Sequence, residues 1–82
     1  MNKLLIEIYV PAIGKTFDVY IPCNAKVFEL LPLVTIAVRE LSGDLFVPND
    51  VTLCNGSTGV IYSQNTCVGD MQLKNGTRLM LI

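Results

Sequence analysis

The chain has 82 residues, enough for one small domain with one core and too few for two. Half of the residues are hydrophobic (51%) and only 16% are charged, which excludes a disordered chain. The net charge is −1, and the six basic residues, Lys3, Lys15, Lys26, Arg39, Lys74 and Arg78, are spread out, so the clustered cations that grip nucleic acid are missing.

From residue 3 to residue 10 the residues alternate, with Leu4, Ile6, Ile8 and Val10 on one face and Lys3, Leu5, Glu7 and Tyr9 on the other, which predicts a first strand. A turn over 11–15, bounded by Pro11 and Gly14, leads to a second strand over 16–21, with Phe17, Val19 and Ile21 inward, so a hairpin is expected. Pro22 ends it, and Asn24 is placed to cap a helix running from residue 25 or 26 to Leu41, stopped by Ser42, Gly43 and Asp44. On a helical wheel Val27, Leu30, Leu31, Val34, Val38 and Leu41 fall within about 100° of one another, the width of a stripe that faces a core. Pro32 lacks the N–H that would bond the carbonyl of Phe28, so an irregular first turn is expected over 27–31.

After a loop over 43–50, Val51 and Leu53 point inward in a third strand ending at Cys54, and Asn55-Gly56 signals a turn. A minor strand follows over 60–62, then a polar connection over 63–66 and a short turn in which Leu73 is the apolar anchor. Lys74-Asn75-Gly76 turns the chain into a last strand over 77–82, with Leu79 and Leu81 inward and Arg78, Met80 and Ile82 outward. About twenty side chains fill the core of such a fold, and Leu5, Ile36, Met80 and Ile82 are left outside it.

No stretch reads as a secretory leader or membrane span: the longest apolar run, 27–38, is too short and holds Glu29, Pro32 and Thr35. Direct membrane insertion is therefore not expected. Three cysteines, Cys23, Cys54 and Cys67, with no histidine cannot complete a usual zinc shell, and an odd number suits a reducing cytosol better than a disulfide scaffold. No histidine base, paired carboxylates or Gly-rich phosphate loop is present, so neither catalysis nor a cofactor is expected. Cys23, just before the helix, is the best candidate for a reactive thiol, although cysteines at helix starts are usually inert.

The order strand, strand, helix, strand, short strand, strand, closed by Leu73, Gly76, Leu79 and Leu81 in a Leu-x-x-Gly-x-x-Leu-x-Leu pattern, resembles the ubiquitin-like β-grasp. That resemblance implies an α+β fold, ββαβ(β)β, in which a mixed sheet packs on one main helix and the first and last strands pair in parallel. Residues 1–82 then form a single ubiquitin-like domain.

Asp18, Ile21 and Pro22 at the strand end, followed by Val27, Glu29, Leu30, Leu31 and Pro32 at the helix start, resemble the YukD family, as does Lys74-Asn75-Gly76-Thr77-Arg78-Leu79 with Thr77 where the family has Asp. Glu29 and Pro32 are also explicable as a helix-dipole partner and an early-helix residue. Family membership implies a cytoplasmic accessory component of the type VII (ESX-like) secretion system of Gram-positive bacteria. It would be recruited to the inner face of the membrane by a protein partner.

Ubiquitin-like modifiers and sulfur carriers, the alternative class, act through a flexible Gly-Gly tail, whereas this sequence ends Leu79-Met80-Leu81-Ile82. Non-conjugating protein–protein binding is therefore the leading expectation, with the secretion complex as partner and a homodimer as an alternative. Candidate partner-binding residues are Leu5, Tyr9, Tyr20, Arg78, Met80 and Ile82 on the open face of the sheet, and Leu33 and Ile36 on the helix.

Overall fold

The computed structural model describes residues 3–45 and 51–82. Strands β1 (Lys3–Val10) and β2 (Lys15–Pro22) form the expected hairpin, followed by helix α1 (Val27–Leu41), strand β3 (Leu53–Asn55), a 3-10 turn over Val68–Met71, and strand β4 (Arg78–Leu81). The sheet order is β2-β1-β4-β3, with β1 and β4 parallel in the centre and the outer pairs antiparallel. The chain is thus an α+β ubiquitin-like β-grasp, a mixed sheet packed against one main helix. The expected loop over 43–50 is described as far as Leu45, and residues 46–50 lie outside the described residues.

Alternation places the β1 residues Ile6, Ile8 and Val10 fully inside, against Ile21 from β2, Leu53 from β3 and Leu79 and Leu81 from β4. From above, α1 lowers Val27, Leu30, Leu31, Val34 and Val38 onto them, and Val51, Leu73 and Phe17 pack around the rim. Burial of this apolar set is the main stabilising term in so small a domain. Leu41, expected in the helix stripe, is instead 58% exposed. It lies almost one turn beyond Val38, the last buried residue of the stripe, at the position where the helix ends.

Three expectations for the helix start and its neighbours are corrected. The helix is continuous through Pro32, and its first turn is regular because every donor there has a partner. Val27 N–H donates to the Thr66 carbonyl (2.9 Å) and Phe28 N–H to that of Gln64 (3.0 Å), while Glu29 and Leu30 both donate to Lys26. The carbonyl that Pro32 leaves without its helical donor is that of Phe28, and both side chains are exposed, so the lost bond lies toward the solvent side. The residue preceding the helix is Lys26, not Asn24, and the Glu29 carboxylate accepts its N–H at 3.1 Å, half of a capping box. The minor strand expected over 60–62 is only a bridge between Cys54 and Ile61. Asn55 organises that connection, its carboxamide oxygen accepting the N–H groups of Ser57 and Thr58 (2.8 and 3.0 Å).

The helix ends in a Schellman arrangement. Gly43 takes φ +64°, Asp44 N–H donates to the Arg39 carbonyl (3.0 Å) and Gly43 N–H to that of Glu40 (3.2 Å). Arg39 and Asp44 also form an exposed ion pair at 3.1 Å.

Candidate protein-binding surfaces

Because α1 covers one face of the sheet, the alternate residues of each strand form an open face on the other side. Strand register arranges them in rows. Leu5 of β1 lies opposite Tyr20 of β2; the next row holds Asp18, Glu7 and Arg78; the next holds Thr16, Tyr9, Met80 and Cys54. Two rows that present apolar or aromatic side chains therefore flank a charged one.

The Arg78 guanidinium contacts the Glu7 carboxylate at 3.4 Å and lies 5.8 Å from the centre of the Tyr9 ring, a cation–π contact. Glu7 also faces Asp18 directly across the β1–β2 pair, an unfavourable juxtaposition of like charges. Leu5, Tyr9 and Met80 are half-buried, whereas Tyr20 is 67% exposed. Ile82 is half-exposed beside β3, exchanging backbone hydrogen bonds with Thr52 (2.7 and 2.9 Å). The register thus brings together Leu5 with Tyr20 and Tyr9 with Arg78 and Met80, and places Ile82 at the margin.

Leu33 and Ile36 are exposed (both 55%), on the side of α1 turned away from the core. They belong to a second surface, separated from the sheet face by the whole core. Phe28, half-exposed, extends this surface one turn toward the helix start. The i, i+4 spacing of Phe28, Pro32 and Ile36 was the signal that could have identified it. Val60 and Ile61 form a further exposed apolar pair beside β3.

Cys54 has the parity of the open face, yet it is buried (1% exposed), bridged through its backbone to Ile61 alongside, and burial pushes its thiol pKa up. Such a thiol is a packing residue and a poor nucleophile. Cys23 and Cys67 are half-buried. No group of three or more His, Cys, Asp and Glu side chains is placed to hold a metal, and no pocket forms, among the described residues. No helix among those residues is long and apolar enough to cross a membrane.

No family model matches the sequence, and no curated protein matches it either. Solved structures do match in shape. The ubiquitin-like domain of the Mycobacterium tuberculosis type VII secretion system protein ECCD1 superposes with a TM-score of 0.78 at 11% identity, covering 100% of this chain and 99% of that one. A chain of the MycP5-free ESX-5 inner membrane complex gives 0.71 at 20% identity, with all of this chain matching 21% of that one. A chain of the toluene 4 monooxygenase HD complex gives 0.78 at 6% identity over 98% of this chain and 96% of that one. At these identities the likeness establishes the ubiquitin-like fold.

Proposed function

We propose that the chain is a non-conjugating ubiquitin-like accessory protein of the YukD kind, a single domain that acts in bacterial type VII secretion by binding a protein. Its partner is a cytoplasmic part of the membrane secretion complex, and the domain is cytoplasmic until recruited there. The observation that carries this reading is the open sheet face, where Leu5, Tyr9, Tyr20 and Met80 stay at least partly accessible although the core on the other side is filled. The motif formed by Asp18, Ile21, Pro22, Val27, Glu29, Leu30, Leu31 and Pro32 supports the family, as does the shape shared with a domain of a type VII secretion protein.

Binding, rather than catalysis or conjugation, suits the chemistry. The described residues form open faces without a pocket. Purifying the secretion membrane complex from cells that express a tagged copy tests the proposal. The tagged protein should co-purify with the complex, and Tyr20→Glu should abolish this while Ile36→Glu leaves it intact. Equal recovery of the Tyr20→Glu protein would refute the sheet face as the binding surface. A covalent adduct through the C-terminal carboxylate would refute the non-conjugating assignment.

A further inference from the structure

The open sheet face carries a charge pattern that restricts what can cover it. In its middle row Glu7 lies opposite Asp18 on one side and Arg78 on the other, so the row holds two carboxylates and one guanidinium. Arg78 is committed to Glu7 and to the Tyr9 ring. Asp18 is exposed and has no ion pair or side-chain hydrogen bond among the described residues. A partner that covers this face with apolar groups alone would strip water from the Asp18 carboxylate without replacing it, which is costly. One that brings a cation to it gains an ion pair and also offsets the repulsion from Glu7.

The flanking rows set the distance. Leu5–Tyr20 and Tyr9–Met80 are four residues apart along β1, about 13 Å, with the charged row midway at about 6.6 Å from each. Positions i, i+4 and i+8 on a helix rise about 6 Å per step and match that spacing.

We propose that the open sheet face docks a partner segment presenting one Lys or Arg midway between two apolar side chains, the cation seated on Asp18 and the apolar groups on the Leu5–Tyr20 and Tyr9–Met80 rows. This rests on the reading of the sheet face as the binding surface and adds the chemistry of its occupant.

Three synthetic helical peptides of about 18 residues, long enough to hold a helix in an Ala-rich host, provide the test. Each carries Leu at i and i+8, with Lys, Gln or Glu at i+4. They are titrated into the isotope-labelled protein and followed by its backbone amide spectrum, for the native chain and for Asp18→Lys. The native protein should bind the Lys peptide about two- to fivefold more tightly than the Glu peptide, the scale of one exposed ion pair, with the largest shifts at Leu5, Asp18, Tyr20 and Met80. Asp18→Lys should reverse the order, and its amide spectrum reports that it remains folded.

Equal affinity for all three peptides at the sheet face would overturn this inference and leave the sheet face standing as a binding surface. Shifts confined to Phe28, Leu33 and Ile36 would overturn both. Absence of shifts with every peptide would overturn the inference as well.

Discussion

Two glycines provide opposed predictions from one physical argument. At Gly56 an added methyl group would sit 2.5 Å from the Arg78 side chain and 2.7 and 2.9 Å from its carbonyl oxygen and carbon. Backbone cannot swing aside as a flexible side chain can. The Arg78 carbonyl accepts the Gly56 N–H at 2.9 Å, and Arg78 is registered against Glu7 in the parallel pair at the centre of the sheet.

Relieving the clash must therefore disturb either β3 or β4. Overpacking of this kind costs about 1–3 kcal/mol, offset in part by about 0.4–1 kcal/mol from the stiffer unfolded chain. The net loss for Gly56→Ala is about 1–2 kcal/mol, out of a total stability on the order of 4–12 kcal/mol for a chain of this length. That corresponds to a fall in Tm of about 5–15 °C.

At Gly69 the same methyl group would meet only the Cys23 carbonyl oxygen, at an ordinary 3.5 Å, and the backbone is not in the left-handed region. Gly69→Ala should therefore keep only the unfolded-state benefit and raise Tm by about 2–6 °C. Thermal unfolding followed by circular dichroism on both variants decides the matter. A Gly56→Ala protein that melts at or above the native temperature would refute the close approach of the Gly56 turn to β4.

Val34 and Ile36 lie two residues apart on α1 but at 1% and 55% exposure, so Val34→Glu should unfold the domain while Ile36→Glu changes its stability by no more than about 0.5 kcal/mol in urea denaturation. The Thr35 hydroxyl is buried without a hydrogen-bond partner among the described residues, so the near-isosteric Thr35→Val should stabilise by about 1 kcal/mol in the same assay. Of the three thiols, Cys54 should resist iodoacetamide in the folded protein and react only on unfolding, as intact mass spectrometry will show. Its raised pKa also fixes a sign: above the ordinary thiol range the unfolded chain ionises first and binds fewer protons, so stability should fall as alkaline pH rises, and Cys54→Ala should lessen that dependence.

The strands were legible because burial on one face writes itself into the sequence with period two. Ile6, Ile8 and Val10, and later Leu79 and Leu81, needed no partner to be identified. The helix stripe was equally plain from Val27 to Val38 and misled only at Leu41, where wheel position says nothing about where the helix ends relative to the core it covers. The regular first turn of α1 was not legible. It depends on carbonyls of Gln64 and Thr66, almost forty residues away, and local rules could weigh only Pro32 against it.

Residues 60–62 have strand-like side chains, but a ladder needs a partner for each of them. Only Ile61 forms a bridge. For the sheet face, parity showed which residues turn outward. The rows, and with them the confrontation of Glu7 with Asp18, required the register of two different pairings.

The central claim is that this domain works through the open face of its sheet. Site-specific photocrosslinking in the native host tests it most directly, with a photoreactive residue replacing either Tyr20 on that face or Ile36 on the helix, both exposed enough to carry one without loss of the fold. Crosslinks from position 20 to a subunit of the secretion membrane complex, with none from position 36, are the predicted result. Crosslinks to that complex from position 36 alone would contradict the account.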